Sequence, residues 1–387
     1  MRPPRIPEAL AAALFLTLAS PGAPAAQTPA GPAKPADLFQ TTNLWSVHLS
    51  FAPEQWKAIE PKGGPQRGLG GRGLFEPTAF LVPAFLQQGD QDHDGRLFRE
   101  EFRALGERWF TQWDTNKSGR VNVEQLCAGL ATTFLPPGAG GRGPGLNLQG
   151  KEGQRNGLAA AMGIEFTYVH ADLQWEGRTL KDVAVRYKGN GTYIQSRDSL
   201  KRSLKIDLNK YVKGQKLAGL TTLNLHNNVS DASWMNEVLS HRLFRDAGVP
   251  APRTAYARVY VTVPGQYERK FFGLYSVVED IDRHFAQERF GPAAGAIFKP
   301  VTPNLFADLG PAWEQYNQTY DPKTVLSAQQ RQRVIDFCRL VTHADDAQFA
   351  AQAGQYLDLE EFARFMEVTV WLPTLDSLLG AGQNFYV

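Results

Sequence analysis

Cysteine is nearly absent: Cys127 and Cys338 are the only two in 387 residues. Each lies in an apolar, helix-like stretch, which predicts two buried thiols rather than a bridge. With no CxxC or Cys/His cluster, the sequence argues against a structural zinc. An excess of either charge is missing too, since 41 basic residues face 39 acidic ones and leave a net +2. That balance gives no electrostatic case for nucleic acid or a membrane surface as a partner. Long apolar runs are missing after the first 25 residues, so no transmembrane segment is expected in the mature chain.

The exception is the start. Arg2 and Arg5 precede ALAAALFLTLA, and the small-residue triplet Ala23-Pro24-Ala25 follows. A basic region, a short apolar run and a small-residue cleavage site predict a signal peptide over 1–25 and an exported protein, secreted or held in the periplasm or cell envelope. An uncleaved N-terminal anchor is the alternative. The Pro/Ala-rich stretch 26–40 reads as a flexible linker.

What is present has the size for two domains; 43% of residues are apolar. LWSVHLSF (44–51) alternates as a strand does and PEQWKAIEP follows as a short helix, giving a first unit over 41–62. Two Gly/Pro/Arg-rich stretches, 63–73 and 136–145, then bracket a helical segment, before β-type patterns resume in IEFTYVHADLQWEG, TLKDVAVRYKG and SLKIDLNKY. The simplest organisation is a module, 74–135, inserted into a larger α+β domain. A Gly-rich linker over 136–160 would return the chain to that domain at 161–387.

The inserted module carries the strongest metal signal. DQDHDGRLFREE (90–101) has Asp90, Asp92 and Asp94 at positions 1, 3 and 5 of a twelve-residue calcium loop. Gly95 stands at the sharp turn, Arg96 offers its carbonyl at position 7, and Glu101 can bind in bidentate fashion at position 12. Leu97 at position 8 would pair with a neighbouring loop. DTNKSGRVNVEQ (114–125) repeats the pattern with Asp114, Asn116, Ser118 and Arg120, but Gln125 at position 12 is a poor ligand and predicts weak or no filling. The twelve residues between the loops form one helix whose Phe102, Leu105, Trp109, Phe110 and Trp113 are expected in a core. Together they read as an all-α EF-hand pair with a buffering or structural role.

Several stretches of the larger domain are informative on their own. In RYKGNGTY, Gly189 and Gly191 permit a tight turn while Lys188 and Asn190 place donors beside it, which suits a phosphate cradle; a plain hairpin turn fits the same residues. In SLKRSLKIDL, Lys201, Ser203, Lys205 and Asp207 share one face opposite Leu204, Ile206 and Leu208. Lys205 is the leading candidate to reach a nucleotide phosphate, with Lys201 its rival. A helix capped by Ser230 or Asp231 and ending before Gly248 would bury Met235, Val238, Leu239 and Leu243. Glu237 is its best-placed carboxylate to hold the strand lysine. Glu279 follows an apolar strand and would either contact a ribose or cap the helix beginning IDRHF. A helix capped by Asp358, with Phe362, Phe365, Met366, Thr369 and Val370 as its buried stripe, would end at Pro373 and deliver Asp376 on a loop.

From about 164 onward, VAVRYKGNGTY, SLKRSLKIDL, SDASWMNEVLSHRLFRDAGVPAP, FFGLYSVVEDID and LDSLLGAGQNFYV follow one another in the order of landmarks in the spore-coat kinase (CotH) family, which the chain resembles. The resemblance implies an atypical, two-lobed protein-kinase-like fold that binds ATP and magnesium and phosphorylates Ser or Thr of secreted or envelope proteins. Asp376 would serve as the base, Asn384 as a magnesium ligand, and Lys188, Gly189, Asn190, Gly191, Lys205, Glu237 and Glu279 as nucleotide contacts. Lys299 matches a recurrent family lysine with no assigned role. Gln383-Asn384 stands where the family has His-Asn. The family's second metal carboxylate, in a later Trp-Asp-x-Asp-like segment, has no counterpart before Val387, so the domain is expected to be an incomplete piece of a longer kinase. The competing expectation is a calcium-stabilised binding protein on a degenerate kinase scaffold. The acceptor protein and oligomeric state are left open.

Overall fold

The computed structural model describes residues 32–63, 85–86, 88–92, 94–134, 150, 156–291, 295–302, 304–374, 376–380 and 382–387. The expected signal peptide, the expected linker as far as 31 and nearly all of the two Gly/Pro/Arg-rich stretches lie outside them.

After a short helix α1 (Pro35–Leu38), seven strands close into a barrel: β1 (Leu44–Ser50), β2 (Val169–Trp175), β3 (Arg178–Tyr187), β4 (Leu204–Asp207), β5 (Thr222–His226), β6 (Thr254–Val263) and β7 (Tyr267–Val278). The order around it is β1-β2-β3-β4-β5-β7-β6. All neighbours are antiparallel except β1 and β6, which run parallel from Leu44↔Tyr256 to Ser50↔Thr262 and close the ring. Alternation explains the closure. The inward residues Val47, Leu49, Leu173, Val185, Ile206 and Leu225 are almost fully buried, and each is flanked by residues that point outward. Trp175 fills one part of the interior, 5.9 Å from Trp45 between ring centroids. On the outside, α2 (Pro53–Ala58) packs through Trp56 against Phe51, Tyr267 and Phe272.

The chain leaves and re-enters this barrel at one place. Lys62 and Glu165 exchange backbone hydrogen bonds of 3.1 and 2.9 Å, and the Arg202 guanidinium grips Glu60 at 2.7 and 2.8 Å. Between these anchors lie α3 (Arg99–Trp113) and α4 (Val123–Phe134), each preceded by a loop with a glycine in the left-handed region, Gly95 at φ 79° and Gly119 at φ 73°. One helix does connect the two loops, with Leu105 and Trp109 buried beneath it. Phe102 and Phe110, expected in the core, are instead exposed, although Phe102 lies on the same face as Trp109 and both rings meet Phe85. Leu97 forms no bridge with the second loop among the described residues; it presses with Leu105 on Gly89, where a Cβ would lie 2.7 Å from a Leu97 methyl.

The helical half comprises α8 (Arg283–Phe290), α9 (Glu314–Tyr320), α10 (Ala328–His343), α11 (Asp346–Gln352) and α12 (Leu359–Trp371). Two further helices belong to the barrel: α6 (Gly191–Ser196) and α7 (Asn236–Asp246), with the one-turn α5 (Leu158–Ala161) beside α6. Phe298, Tyr316, Tyr320, Leu326, Ile335 and Cys338 form the second core. Asp358 caps α12 by accepting from the amides of Glu360 and Glu361 at 3.1 and 3.0 Å, as its position predicts.

Three further expectations are corrected. Cys338 is buried but Cys127 is exposed. The helix α7 begins at Asn236, not at Ser230 or Asp231, because Asp231 spends its carboxylate on a preceding turn, accepting from Ser233 and Asn236 amides at 2.9 and 2.8 Å. Met235 stands just before the first turn and is exposed; within the helix Leu239 is exposed while Val238 is buried. On α12, Val370 is exposed and Val368 takes the buried position beside Thr369. Val387 exchanges backbone hydrogen bonds of 2.8 and 3.0 Å with Phe298.

Truncating Trp175 to alanine should cost about 3–5 kcal/mol of stability, the range for deleting a large buried aromatic. Urea denaturation checks this, and a loss below about 1 kcal/mol would mean that the barrel interior is not packed as described.

Candidate nucleotide cleft

The barrel rim and the helical half enclose a cleft of about 740 Å³. One wall is apolar, with Val249, Ala251, Val278, Ile281, Phe285 and Phe362 among its residues. The other is polar and comes from strand ends: Lys188 just after β3, Asn224 and His226 on β5, Glu237 and His241 on α7, and Asp280 just after β7. Such a volume, with few convergent polar groups on an apolar background, suits a small-molecule ligand.

The sheet register makes the polar wall. Pairing Lys205 with Asn224 and Asn224 with Val278 brings β4, β5 and the end of β7 side by side. Asp280 then receives Lys205 Nζ at 3.1 and 3.2 Å and Asn224 Nδ2 at 2.9 Å. Lys188 Nζ donates to Asn224 Oδ1 at 3.0 Å and meets His226 Nε2 at 2.7 Å. His226 Nδ1 lies 2.6 Å from Glu237. Burial is the main reason that the Lys188 ammonium is pushed down to about 8, with the nearby Lys205 charge adding to it. Burial would raise Glu237, but the hydrogen bonds of His226 and His241, and their charges once protonated, override it and hold that carboxyl far below the usual range. Asp280 is likewise lowered, Lys205 and Asn224 outweighing its burial.

Several predicted contacts fall differently. Glu237 does not hold Lys205; it holds His226, while Lys205 pairs with Asp280, because β4 presents Lys205 toward β7 and not toward α7. Lys201 is also away from the cleft, its ammonium 4.6 Å above the Trp234 ring. The Lys188–Gly191 turn is not a hairpin but the strand-to-helix passage from β3 to α6. Gly189 needs its φ of 114° there, since a Cβ would lie 2.4 Å from Thr192 Oγ1. Of its four residues only Lys188 lines the cleft, and Asn190 Oδ1 turns to the Ala159 amide at 3.4 Å. Glu279 lines the cleft but caps no helix; Asp282 caps α8. Its side chain, 1% exposed, is enclosed by Arg253 and Arg289. Asn384 lines the cleft and donates to the Asp376 carbonyl at 2.8 Å, while the Asp376 carboxylate accepts from Gln383 and lies outside the lining. Lys299 also lines the cleft, its ammonium 5.0 Å above the Tyr386 ring.

A family model described as CotH kinase protein matches residues 185–387, more than half of the chain. The chain belongs to that family. No curated protein matches it. Membership brings a kinase-like function to the matched segment, which contains every residue of the polar wall. Among the described residues no helix is long and apolar enough to cross a membrane.

Sequence reasoning missed Asn224, His226, His241 and Asp280. The strand alternation of Leu223 and Leu225 does place Asn224 and His226 on the other face of β5, so part of the wall was within reach. Asp280 needed the β5–β7 register, which is a long-range pairing.

Replacing Glu279 with glutamine should lower stability by about 2–3 kcal/mol, less than a fully isolated buried charge because Arg253 and Arg289 keep Glu288. Thermal and urea melts of the variant test it; an unchanged midpoint would show that the arginine cage is not holding the barrel to α8.

Proposed function

We propose that the chain is the kinase-like part of an exported, calcium-binding CotH protein that transfers the ATP γ-phosphate to Ser or Thr of secreted or envelope proteins. The observation that carries this reading is Lys188, a half-buried ammonium on the polar wall of a cleft whose other wall is apolar. The apolar residues suit a base, and Lys188, backed by Lys205 through Asp280, suits the phosphates. The donor set fits a nucleotide more fully than a metal. Asn384 offers one amide oxygen, but Glu237, Glu279 and Asp280 are committed to His226, arginines and Lys205. Among the described residues the one acidic triad close enough for an ion is Asp90, Asp92 and Asp94. When bound, magnesium-ATP supplies the phosphoryl group and part of the charge that offsets it. Lys188 would bind the phosphates, Asn384 would hold the metal, and Asp376 would orient the acceptor hydroxyl.

The second reading, a non-catalytic scaffold stabilised by calcium, draws on the position of the Asp376 carboxylate outside the cleft lining. Radiolabelled phosphate incorporation by the full-length protein with magnesium decides between them. Asp376→Ala and Lys188→Ala should each lose at least about a hundredfold in rate, a loss of roughly 3 kcal/mol in transition-state stabilisation. Equal incorporation in wild type and variants, or none in any, would end the kinase reading. Because Lys188 keeps its charge only below about pH 8, ATP affinity should weaken as the pH rises through that value, and equilibrium binding across the range measures it.

Residues 74–135 are assigned as the inserted EF-hand pair. In the first loop the oxygens of Asp90, Asp92 and Asp94 lie within 4.8 Å of one another. Glu101 spans the loop, accepting from Gln91 and Phe98 amides at 2.9 and 3.0 Å, which aims both carboxylate oxygens at the loop. In the second, Gln125 Nε2 donates to Thr115 at 3.1 Å and leans toward Asn116 Oδ1 at 3.4 Å, so a donor faces a ligand position. The first loop therefore fits calcium and the second does not. Calcium at a hundred times its dissociation constant should add about 2.7 kcal/mol to the module. Calorimetry with calcium and with chelator reads this, and identical melts would reduce 90–101 to an acidic turn.

A further inference from the structure

The lysine of the cleft and the glutamate of α7 do not touch; an imidazole stands between them. Lys188 Nζ is 2.7 Å from His226 Nε2, and His226 Nδ1 is 2.6 Å from Glu237 Oε1. The partners fix the ring's proton. An ammonium only donates, so Nε2 must accept; a carboxylate only accepts, so Nδ1 must carry the hydrogen. One neutral tautomer satisfies both contacts. A doubly protonated ring would set an N–H against the ammonium, and Lys188 would have to leave. Resting on the nucleotide reading of this cleft, we propose that His226 is a positioning residue that couples Lys188 to Glu237 and holds the ammonium toward the phosphates only while its ring is neutral.

The surroundings agree. Lys188 faces the ring from the end of β3, Glu237 and His241 face it from α7, and Asn224 flanks it on β5, where it shares Lys188. Lys205 and Asp280 lie one step further along the wall and touch Lys188 through Asn224. Burial dominates the balance on His226, and Lys188 and His241 act with it against Glu237, so the ring stays neutral below the ordinary histidine value of 6.5. The same ring links β5 to α7, and that contact survives protonation, since an imidazolium keeps its Nδ1–H on Glu237; only the Lys188 side of the bridge is lost.

Two measurements on the full chain test this. The first is equilibrium binding of ATP between about pH 5 and pH 9. Wild type should hold its affinity through neutrality and lose about tenfold in the acid limb as Lys188 is displaced, the size of one charge-assisted hydrogen bond. His226→Leu should lose about tenfold at neutral pH. His226→Gln keeps an acceptor and a donor at imidazole-like spacing but cannot titrate, so it should restore most of that loss and have no acid limb. An acid limb in His226→Gln equal to that of wild type, or full affinity in His226→Leu with its fold intact by circular dichroism, overturns the proposal.

The second measurement needs no nucleotide. Nitrogen-15 shifts of the His226 ring at neutral pH should report the Nδ1–H tautomer. An Nε2–H or doubly protonated ring refutes the bridge whatever the protein binds. Absence of ATP binding by wild type at every pH, with the Nδ1–H tautomer present, would instead strike the nucleotide reading and leave the Lys188–His226–Glu237 bridge standing.

Discussion

Contiguity of β3, β4, β5 and β7 in one sheet is the constraint on which the cleft depends. Parallel pairing of β1 with β6 closes that sheet, so it ends in no free edge. Lys188 and His226 leave the ends of β3 and β5, and Asp280, just past the end of the oppositely directed β7, joins the same wall beside Asn224. The same closure explains why a helical module can stand between β1 and β2. The mutual hydrogen bonds of Lys62 and Glu165 seal the departure point, so the intervening residues add no strain to the ring.

Charge burial at the rim is the second constraint. A lysine taken from water must find acceptors or give up its proton. Lys188 has two acceptors, Asn224 Oδ1 and His226 Nε2, neither of them charged, and a like charge nearby in Lys205. The outcome is an ammonium poised near neutral pH rather than one locked in a salt bridge. Lys205 contrasts with it: its direct pair with Asp280 neutralises it locally and turns it into support. Two lysines on adjacent strands therefore take different parts because one meets a carboxylate and the other an imidazole.

Much of the fold was legible in the sequence because its signals are local. Period-two alternation marked the strands, Asp358 marked the start of α12, and the glycine and carboxylate spacing marked the loops at 90–101 and 114–125. The site was legible only in part. Lys188 and Glu237 stood out by residue type and position, but the choice of Lys205 as the partner of Glu237 failed, since propensity does not reveal which neighbour a strand face meets. Asp231 misled for a related reason: its capping chemistry is real, yet it is used on the turn that precedes the helix, which starts at Asn236. Exposed Cys127, Phe102 and Phe110 show the remaining gap, because helical spacing alone does not say which side of a helix another element will cover.

The insertion of His226 between Lys188 and Glu237 changes what the cleft can respond to. A direct lysine–carboxylate pair is insensitive to proton concentration between about pH 5 and pH 9, since neither group titrates there in its paired state. An imidazole in the middle makes the contact conditional on a group whose ordinary range lies inside that window, while burial and Lys188 move its titration to the acid side. In the cytosol such a device would have little to sense. Under the proposed export, where acidity is set by the surroundings, the same three side chains would join the binding of an anionic ligand to the state of the medium. The link between strand, ring and helix is short enough that no larger rearrangement is needed to transmit it.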